Sequence, residues 1–157
     1  MKETVEFIPL VALDLIIKNK KKEILLGMRT NSPAKNYWFV PGSRIIKYEK
    51  LKNTLKKTSL TEIGIELTID DVNLYGIYDH IYDKENYLEN DKFGTHYVVI
   101  ALIWEDNKNR INLNNLPKSQ HNKYKFFSIN ELLKNKQVHQ YTKNYFLENP
   151  DNLFIKI

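Results

Sequence analysis

The chain has 157 residues, of which 42% are hydrophobic and 12% aromatic. That composition is typical of a folded protein and excludes an intrinsically disordered one, and the length predicts one domain over residues 1–157. The formal net charge is +5, but the lysines are spread along the chain, and the densest basic run, residues 18–22, is interrupted and typical of a hairpin tip. We therefore expect no nucleic-acid partner, and a mild positive charge suits a small anionic substrate equally well.

Several classes of protein are excluded by what the sequence lacks. It contains no cysteine, which rules out disulfides, thiolate metal sites and a cysteine nucleophile. No stretch approaches the roughly 18 consecutive apolar residues of a membrane span. Residues 1–7 do not show the basic start and apolar core of a secretory signal. We expect no membrane partner and a cytoplasmic location.

Strand and helix patterns alternate irregularly along the chain. They predict strands over residues 9–17, 23–29, 37–40, 72–82, 95–104 and 124–127, and helices over residues 51–63, 128–133 and 138–147. The run from Thr95 to Trp104 is the strongest strand signal, because it is rich in β-branched and aromatic residues. Ser128 and Glu131 have the spacing of a helix capping box. Polar connections are expected over residues 83–94 and 105–119. The fold class is therefore mixed α/β (α+β) around one sheet.

One carboxylate stands out on the first predicted helix. On a helical wheel, Leu51, Leu55, Thr58 and Glu62 fall on one stripe, and the two leucines predict that this stripe faces the interior. Glu62 would then point inward at the negative end of the helix macrodipole, just before a glycine stop at Gly64. An acid in that position needs a cation. The alternative is a helix-end glutamate whose carboxylate turns out to water.

The same segment resembles the Nudix box, in which a glycine, a glutamate, an arginine-glutamate pair, two further glutamates and a final glycine follow at fixed spacing. In an alignment with that pattern, Ser43 stands at the first glycine, Glu49 at the first glutamate and Lys57 at the arginine. Thr58 and Thr61 stand where the family has two of its glutamates. The remaining positions, Glu62, Gly64 and Ile65, match the pattern. A Nudix pyrophosphohydrolase that had lost two acids would be expected to be inactive. The departures point to a branch that needs fewer carboxylates.

The chain resembles the GDP-mannose mannosyl hydrolases, a branch of the Nudix superfamily, over nearly its whole length. The resemblance lies in the segments Pro9–Asp14, Leu25–Asn31, Tyr37–Gly42 with Arg44, Leu60–Gly64, Tyr75–His80, Thr95–Val99 and the pair Gln120–His121. It implies the Nudix fold, a mixed sheet sandwiched between helices, and a homodimer. It also implies Mg²⁺-dependent hydrolysis of GDP-mannose or a related GDP-hexose, in which water attacks sugar C1 with inversion and GDP leaves.

The resemblance assigns roles to nine residues. Glu62, Gln120 and the carbonyl of Gly42 correspond to the ligands of one Mg²⁺ per active site, with Mn²⁺ as an alternative, and all-oxygen ligation suits such a hard cation. His121 corresponds to the general base, for which a pKa near 6.5 is suited.

The remaining assignments concern the substrate. Arg29 and Arg44 correspond to residues that neutralise the leaving GDP, since a guanidinium stays charged and offers forked donors to phosphate. Tyr97 would add a hydroxyl donor to the diphosphate. Asp14 and His80 correspond to residues that contact the sugar or orient the base, and an acid within an apolar strand must be hydrogen-bonded to something.

Four departures and two other functions stay open at this point. Met28, Ser43, Tyr48 and Lys57 differ from the family pattern; Ser43 would strain the loop if its position requires a positive φ, and Lys57 lacks the bidentate geometry of arginine. The first alternative is a Nudix pyrophosphohydrolase that cleaves the phosphoanhydride. The second is a nucleotide-sugar binding module that no longer turns its ligand over.

Overall fold

The fold is taken from a computed structural model, which describes residues 2–86, 88–89, 92–118 and 120–157. Its helices and strands, in chain order, are α1 (Lys2–Phe7), β1 (Leu10–Asn19), β2 (Ile24–Arg29), β3 (Trp38–Phe39), β4 (Gly42–Arg44), α2 (Leu51–Ile63), β5 (Val72–Tyr82), β6 (Thr95–Asp106), β7 (His121–Phe127), α3 (Ile129–Lys134), α4 (Gln140–Asn144) and β8 (Leu153–Lys156). Within the described part of the chain, no helix is long and apolar enough to cross a membrane.

The eight strands form one mixed sheet. Its order is β3-β2-β1-β6-β5-β8, while β4 pairs with β1 and β7 pairs with β2. The two long central strands β1 and β6 run parallel, and the other pairings are antiparallel. The predicted mixed α/β architecture around one sheet is confirmed.

Helices cover both faces of the sheet, and the apolar side chains of β1 therefore point alternately into two cores. Leu13, Leu15 and Ile17 pack with residues of α2 on one face. On the other face, Ala12 and Ile16 belong to a second core that includes residues of α3 and the region around α4. A strand buried on both sides is expected to read as a nearly continuous apolar run, which explains the sequence of β1.

Most predicted elements are found within a residue or two of their expected ends. Helix α2 and strand β5 have the predicted bounds, and β1, β2 and β6 run slightly longer or shorter than predicted. The second half of the chain differs more: β7 begins three residues earlier, at His121, and the helix predicted over 138–147 is only the five residues of α4. The sequence analysis missed α1, β4 and β8. The polar connections at 83–94 and 105–119 include residues 87, 90, 91 and 119, which lie outside the described residues.

The inward stripe of α2 is partly as predicted. Leu55, Thr58 and Glu62 are buried, so Glu62 does not turn out to water. Leu51, however, is 49% exposed, which contradicts the expectation for that residue. It lies in the first turn of α2, outside the core cluster that contains Leu55. The predicted stop is confirmed: Gly64 adopts φ 70°, and its N–H donates to the Leu60 carbonyl at 3.0 Å.

Candidate active site

A cavity of about 380 Å³ opens on the sheet face opposite α2. Seven of the nine predicted site residues line it: Asp14, Arg29, Gly42, Arg44, His80, Tyr97 and Gln120. The other two, Glu62 and His121, do not line this cavity. The structure therefore brings the predicted substrate-binding residues together with two of the three predicted metal ligands.

The register of the sheet explains this grouping. Asp14 of β1 stands opposite Gly42 of β4, and Tyr97 of β6 stands opposite His80 of β5. Successive side chains of a strand point to opposite faces, so Asp14 shares its face with Ala12 and Ile16 rather than with its immediate neighbours. Gly42 is required beside Asp14, because a Cβ at that position would lie 2.3 Å from Asp14 Oδ1.

Asp14 and His80 are linked through a third residue, Tyr145, which the sequence analysis missed. The Tyr145 hydroxyl donates to Asp14 Oδ2 at 2.5 Å and lies 3.3 Å from His80 Nε2. Burial raises the pKa of Asp14 to about 7, although the Tyr145 hydrogen bond and the charge of Arg29 oppose the shift. Burial, with a contribution from His139, lowers the pKa of His80 to about 3. The histidine is therefore neutral at physiological pH.

Glu62, near the end of α2, and His121, the first residue of β7, form a buried pair. His121 Nδ1 lies 2.9 Å from Glu62 Oε2, and both side chains are withdrawn from solvent. Glu62 Oε1 and His121 Nε2 have no hydrogen-bond partner among the described residues. The imidazole packs edge-on against Tyr124 and against Gly27, where a Cβ would come within 2.4 Å of its Cγ. Gly27 is thus a second site residue that the sequence analysis missed.

The predicted metal ligands were tested against this arrangement. Glu62 Oε1 is a buried carboxylate oxygen without a donor, which is the condition expected of a cation ligand. Gln120 lies next to the Gly42 carbonyl, to which its Nε2 donates at 3.4 Å, and it immediately precedes His121, the partner of Glu62. Carboxylate, amide and carbonyl oxygens together suit Mg²⁺. The donor types present therefore suit the ion, although Glu62 lies outside the cavity that Gly42 and Gln120 line.

Threonine occupies the position of a lost Nudix-box acid without leaving a gap. Thr58 Oγ1 lies 2.5 Å from the hydroxyl of Ser43, which ties β4 to α2 one turn before Glu62. Ser43 lies within β4 and is not among the residues with positive φ, so the expected loop strain is absent. In the described part of the chain, no three His, Asp or Glu side chains form a group that could hold a metal. Glu62 would have to bind an ion without carboxylate neighbours.

The Lys57 departure also has a structural replacement. Its Nζ donates to both carboxylate oxygens of Glu49, at 2.8 and 3.1 Å, while Thr54 donates to the same carboxylate at 2.9 Å. These hydrogen bonds lower the pKa of Glu49, and the bond from Lys57 makes the largest contribution. A single ammonium therefore contacts both oxygens of this carboxylate, although it lacks the forked donors of a guanidinium. Tyr48, beside Glu49, adopts φ 70° and is exposed.

Arg29 approaches the cavity from the end of β2. Its Nε donates to the Pro33 carbonyl at 2.8 Å, and its guanidinium carbon lies 6.0 Å from the ring centre of Phe39. Neither contact is an ion pair, although the charge of Arg29 also acts on Asp14. The Arg29 guanidinium is therefore suited to an anionic ligand in the cavity, which Arg44 also lines.

Comparison with known proteins places this architecture in a family. The model of the NUDIX domain matches residues 9–148, and the chain belongs to the Nudix family. The low-salt glycan biosynthesis protein Agl8 of Haloferax volcanii is 36% identical to it over 95 residues. That match covers 60% of this chain and 58% of Agl8, so it spans little more than half of the relative's length.

Solved Nudix structures share the fold. A MutT protein from Methanosarcina mazei Go1 gives a TM-score of 0.62 at 20% identity over 88% of this chain and 91% of its own. The Nudix domain of NrtR from Shewanella oneidensis, solved with ADP ribose, gives a TM-score of 0.62 at 12% identity, and the match covers 88% of this chain and 86% of that domain's chain. A MutT Nudix hydrolase from Burkholderia pseudomallei gives a TM-score of 0.63 at 19% identity, and the match covers 87% of this chain and 95% of the other. These structures confirm the predicted fold, and the NUDIX-domain match over residues 9–148 confirms the predicted superfamily.

Proposed function

We propose that the protein hydrolyses GDP-mannose or a related GDP-hexose to GDP and free sugar, with water attacking C1 and inverting its configuration. The observation that carries the proposal is that two kinds of side chain line the same cavity. Arg29 and Arg44 supply cations for a diphosphate, whereas Asp14 and His80, joined by Tyr145, supply hydrogen-bonding groups for a sugar. A nucleoside diphosphate sugar contains both parts.

A single carboxylate from the Nudix helix supports cleavage at carbon rather than at phosphorus. Glu62, Gln120 and the Gly42 carbonyl would hold Mg²⁺, which when bound would stabilise the negative charge that develops on the departing diphosphate. Thr58 contributes a hydroxyl where an ordinary Nudix box has an acid. A leaving group that departs with its own phosphates intact needs charge neutralisation, and Arg29 with Arg44 and Tyr97 would add to it.

His121 is the proposed general base, and this role requires a movement. Its Nδ1 is bonded to Glu62, and the ring is buried and does not line the cavity. To accept a proton from water at C1, the imidazole must exchange that contact for the water. His121 is the first residue of β7, so this movement would take place at the end of that strand, and the ring would have to leave its close packing against Gly27.

Product analysis tests the proposal directly. Incubation with GDP-mannose and Mg²⁺ should yield GDP and mannose, separated by anion-exchange chromatography, and proton NMR should detect the inverted anomer first. GMP with mannose 1-phosphate would instead identify a pyrophosphohydrolase. Binding without any product, even at high Mg²⁺, would identify a nucleotide-sugar binding module.

Two substitutions test the residue assignments. His121→Gln and Glu62→Gln should each lower kcat by about 10²–10⁴-fold, the usual contribution of a general base or electrostatic group. His96→Gln is the matched control, since His96 is partly exposed and pairs with Asp79. Normal activity in His121→Gln would contradict the proposed base.

The resemblance also suggests a homodimer, which we propose together with the cytoplasmic location expected from the sequence. Light scattering coupled to size-exclusion chromatography measures the mass in solution, for which a dimer predicts twice 18.7 kDa. A monomer across the concentrations used for assays would contradict the dimer without affecting the proposed chemistry.

A further inference from the structure

Tyr145 joins the two cavity residues that we assign to the sugar. Its hydroxyl lies 2.5 Å from Asp14 Oδ2 and 3.3 Å from His80 Nε2. Asp14 and His80 line the cavity, whereas Tyr145, directly after α4, is 0% exposed. Any influence of Tyr145 on a bound ligand must therefore pass through these two side chains.

The position of Tyr145 is fixed by the fold. Its ring packs edge-on against Tyr78, with ring centres 4.8 Å apart. Its backbone carbonyl accepts hydrogen bonds from the Tyr75 hydroxyl at 2.6 Å and from Lys156 Nζ at 3.3 Å. A side chain anchored on both its ring and its backbone holds its hydroxyl in one place before any ligand arrives.

The directions of the hydrogen bonds follow from the proton count. A tyrosine hydroxyl has one proton, which goes to the nearer acceptor, Asp14 Oδ2. The Tyr145 oxygen can then accept the Nε2–H of neutral His80, which leaves His80 Nδ1 as an acceptor. Asp14 Oδ1 lies where only a glycine at position 42 leaves room. Asp14 and His80 are thus each left with one acceptor that Tyr145 does not use.

We propose that Tyr145 is a positioning residue that fixes Asp14 and His80 as a pair of acceptors for sugar hydroxyl groups. This inference rests on the proposed function. A hexose presents neighbouring hydroxyl donors, whereas an ionised diphosphate presents none, so the acceptor pair suits the hexose and not the diphosphate. Tyr145 therefore determines selectivity for the sugar without touching it.

Tyr145→Phe is the test, because it removes the hydroxyl and keeps the ring. We measure kcat/KM for GDP-mannose and the inhibition constant of GDP, which lacks the hexose. Loss of one hydrogen bond to a buried carboxylate should lower kcat/KM about 10-fold. The inhibition constant of GDP should change much less, because GDP lacks the hexose hydroxyl groups that the acceptor pair would bind.

Tyr78→Phe is the matched control. Tyr78 is as deeply buried, packs against Tyr145, and carries a hydroxyl without a hydrogen-bond partner among the described residues. The same chemical change there should leave kcat/KM and GDP inhibition unaltered. Thermal melting of both variants reports any general damage to the core.

Each result decides the inference. An unchanged kcat/KM in Tyr145→Phe would overturn it, and equal losses for GDP-mannose and GDP would assign Tyr145 a structural role only. In an Asp14→Asn background, Tyr145→Phe should cost less than in the wild type, because its main partner is already altered. If the wild type released no mannose, the proposed function would fail and this inference with it. Normal wild-type turnover together with a normal Tyr145→Phe variant overturns the inference alone.

Discussion

Asp14 and Glu62 are carboxylates withdrawn from water by the same sheet, but their surroundings suit them to different ligands. Asp14 faces a hydroxyl, that of Tyr145, and burial still raises its pKa to about 7. Glu62 faces an imidazole, that of His121, and keeps one oxygen without a partner among the described residues. We propose that the first bonds hydroxyl groups in the cavity and that the second receives a cation.

The buried His80 makes stability depend on pH. Its folded-state pKa of about 3 lies below the usual 6.5, so between these values the unfolded chain binds a proton that the folded chain does not. The free energy of unfolding should therefore fall with decreasing pH, by up to about 1.4 kcal/mol per unit from this residue. The groups that face His80 are the rings of Phe39, Tyr141 and Tyr145, with His139 contributing charge.

His80→Phe isolates this contribution, since it keeps a ring that can stack on Tyr141. Urea unfolding of both proteins at pH 7 and pH 5 should show that the wild type loses more stability than the variant as the pH falls. Asp14 acts in the opposite sense between its usual pKa and about 7, but it is present in both proteins, and only the difference between them is compared. Parallel pH dependences would contradict this account of His80.

A substitution at Gly27 tests the position of the His121 ring. A methyl group at Gly27 would lie 2.4 to 2.8 Å from His121 Cγ, Cδ2 and Cβ, and these atoms are too close to the backbone to move away freely. Gly27→Ala should lower the free energy of unfolding by about 1–3 kcal/mol, the usual cost of overpacking. Urea denaturation measures it. A variant as stable as the wild type would show that the ring does not occupy this position.

Individual site residues were predictable to different degrees. Asp14 and Glu62 could be recognised because an acid in an apolar strand or on an inward helical stripe contradicts its local pattern. Tyr145 gave no such signal, because a tyrosine near a helix end is ordinary in sequence and gains its role only from the 131-residue separation that the fold closes. The contact between Glu62 and His121 was equally invisible, since both were assigned roles without reference to each other.

At the level of elements, α2 is defined mainly at its C-terminal end. Lys50 precedes the helix without a side-chain cap, and the first turn is exposed at Leu51. The other end has the αL cap at Gly64 and a buried hydroxyl, that of Ser59, which accepts from the Leu67 N–H at 3.0 Å. The end that carries Glu62 is therefore the well-anchored one.

Gly64 should be sensitive to substitution for conformational reasons alone. It adopts φ 70°, and a Cβ there would meet only Pro117, at an ordinary 3.8 Å. Gly64→Ala should cost about 1 kcal/mol of unfolding free energy from backbone strain. Gly64→Asn should cost less, because asparagine tolerates the left-handed region. Equal stability of all three proteins in urea would contradict the cap.

Elements that depend on local pattern were predicted, and those that depend on distant pairing were not. Helix α2 and strand β5 carry their own periodicity and were found at their predicted bounds. Strand β4 is three residues long and exists only because β1 pairs with it, so its sequence was interpreted as a loop. Helix α4 is shorter than its apolar pattern suggested, because Val138 leaves the helical pattern to bridge to Trp38.

On the scale of the whole molecule, the sheet gathers a site from distant parts of the chain. Gln120 reaches Gly42 across 78 positions, and His121 reaches Glu62 across 59. The adjacent residues Gln120 and His121 thus connect β4 to the end of α2. A change at either contact should be transmitted to the other through one peptide unit.

Addition of Mg²⁺ should therefore be visible at His121. The chain has only four histidines, so their ring resonances can be assigned by single substitutions. With GDP present, Mg²⁺ should shift the His121 ring signals, because the ion and the imidazole depend on the same Glu62 carboxylate. His96, paired with Asp79 at the surface, should not respond. Unchanged His121 signals at saturating Mg²⁺ would argue against Glu62 as a metal ligand.

The most direct test of the central claim is to follow the oxygen of the attacking water. GDP-mannose is incubated with the protein and Mg²⁺ in ¹⁸O-labelled water, and the products are analysed by mass spectrometry and NMR. We predict that the label appears in mannose and that GDP is released unlabelled. Label in a phosphate group of GMP or of mannose 1-phosphate would show attack at phosphorus and would contradict the account.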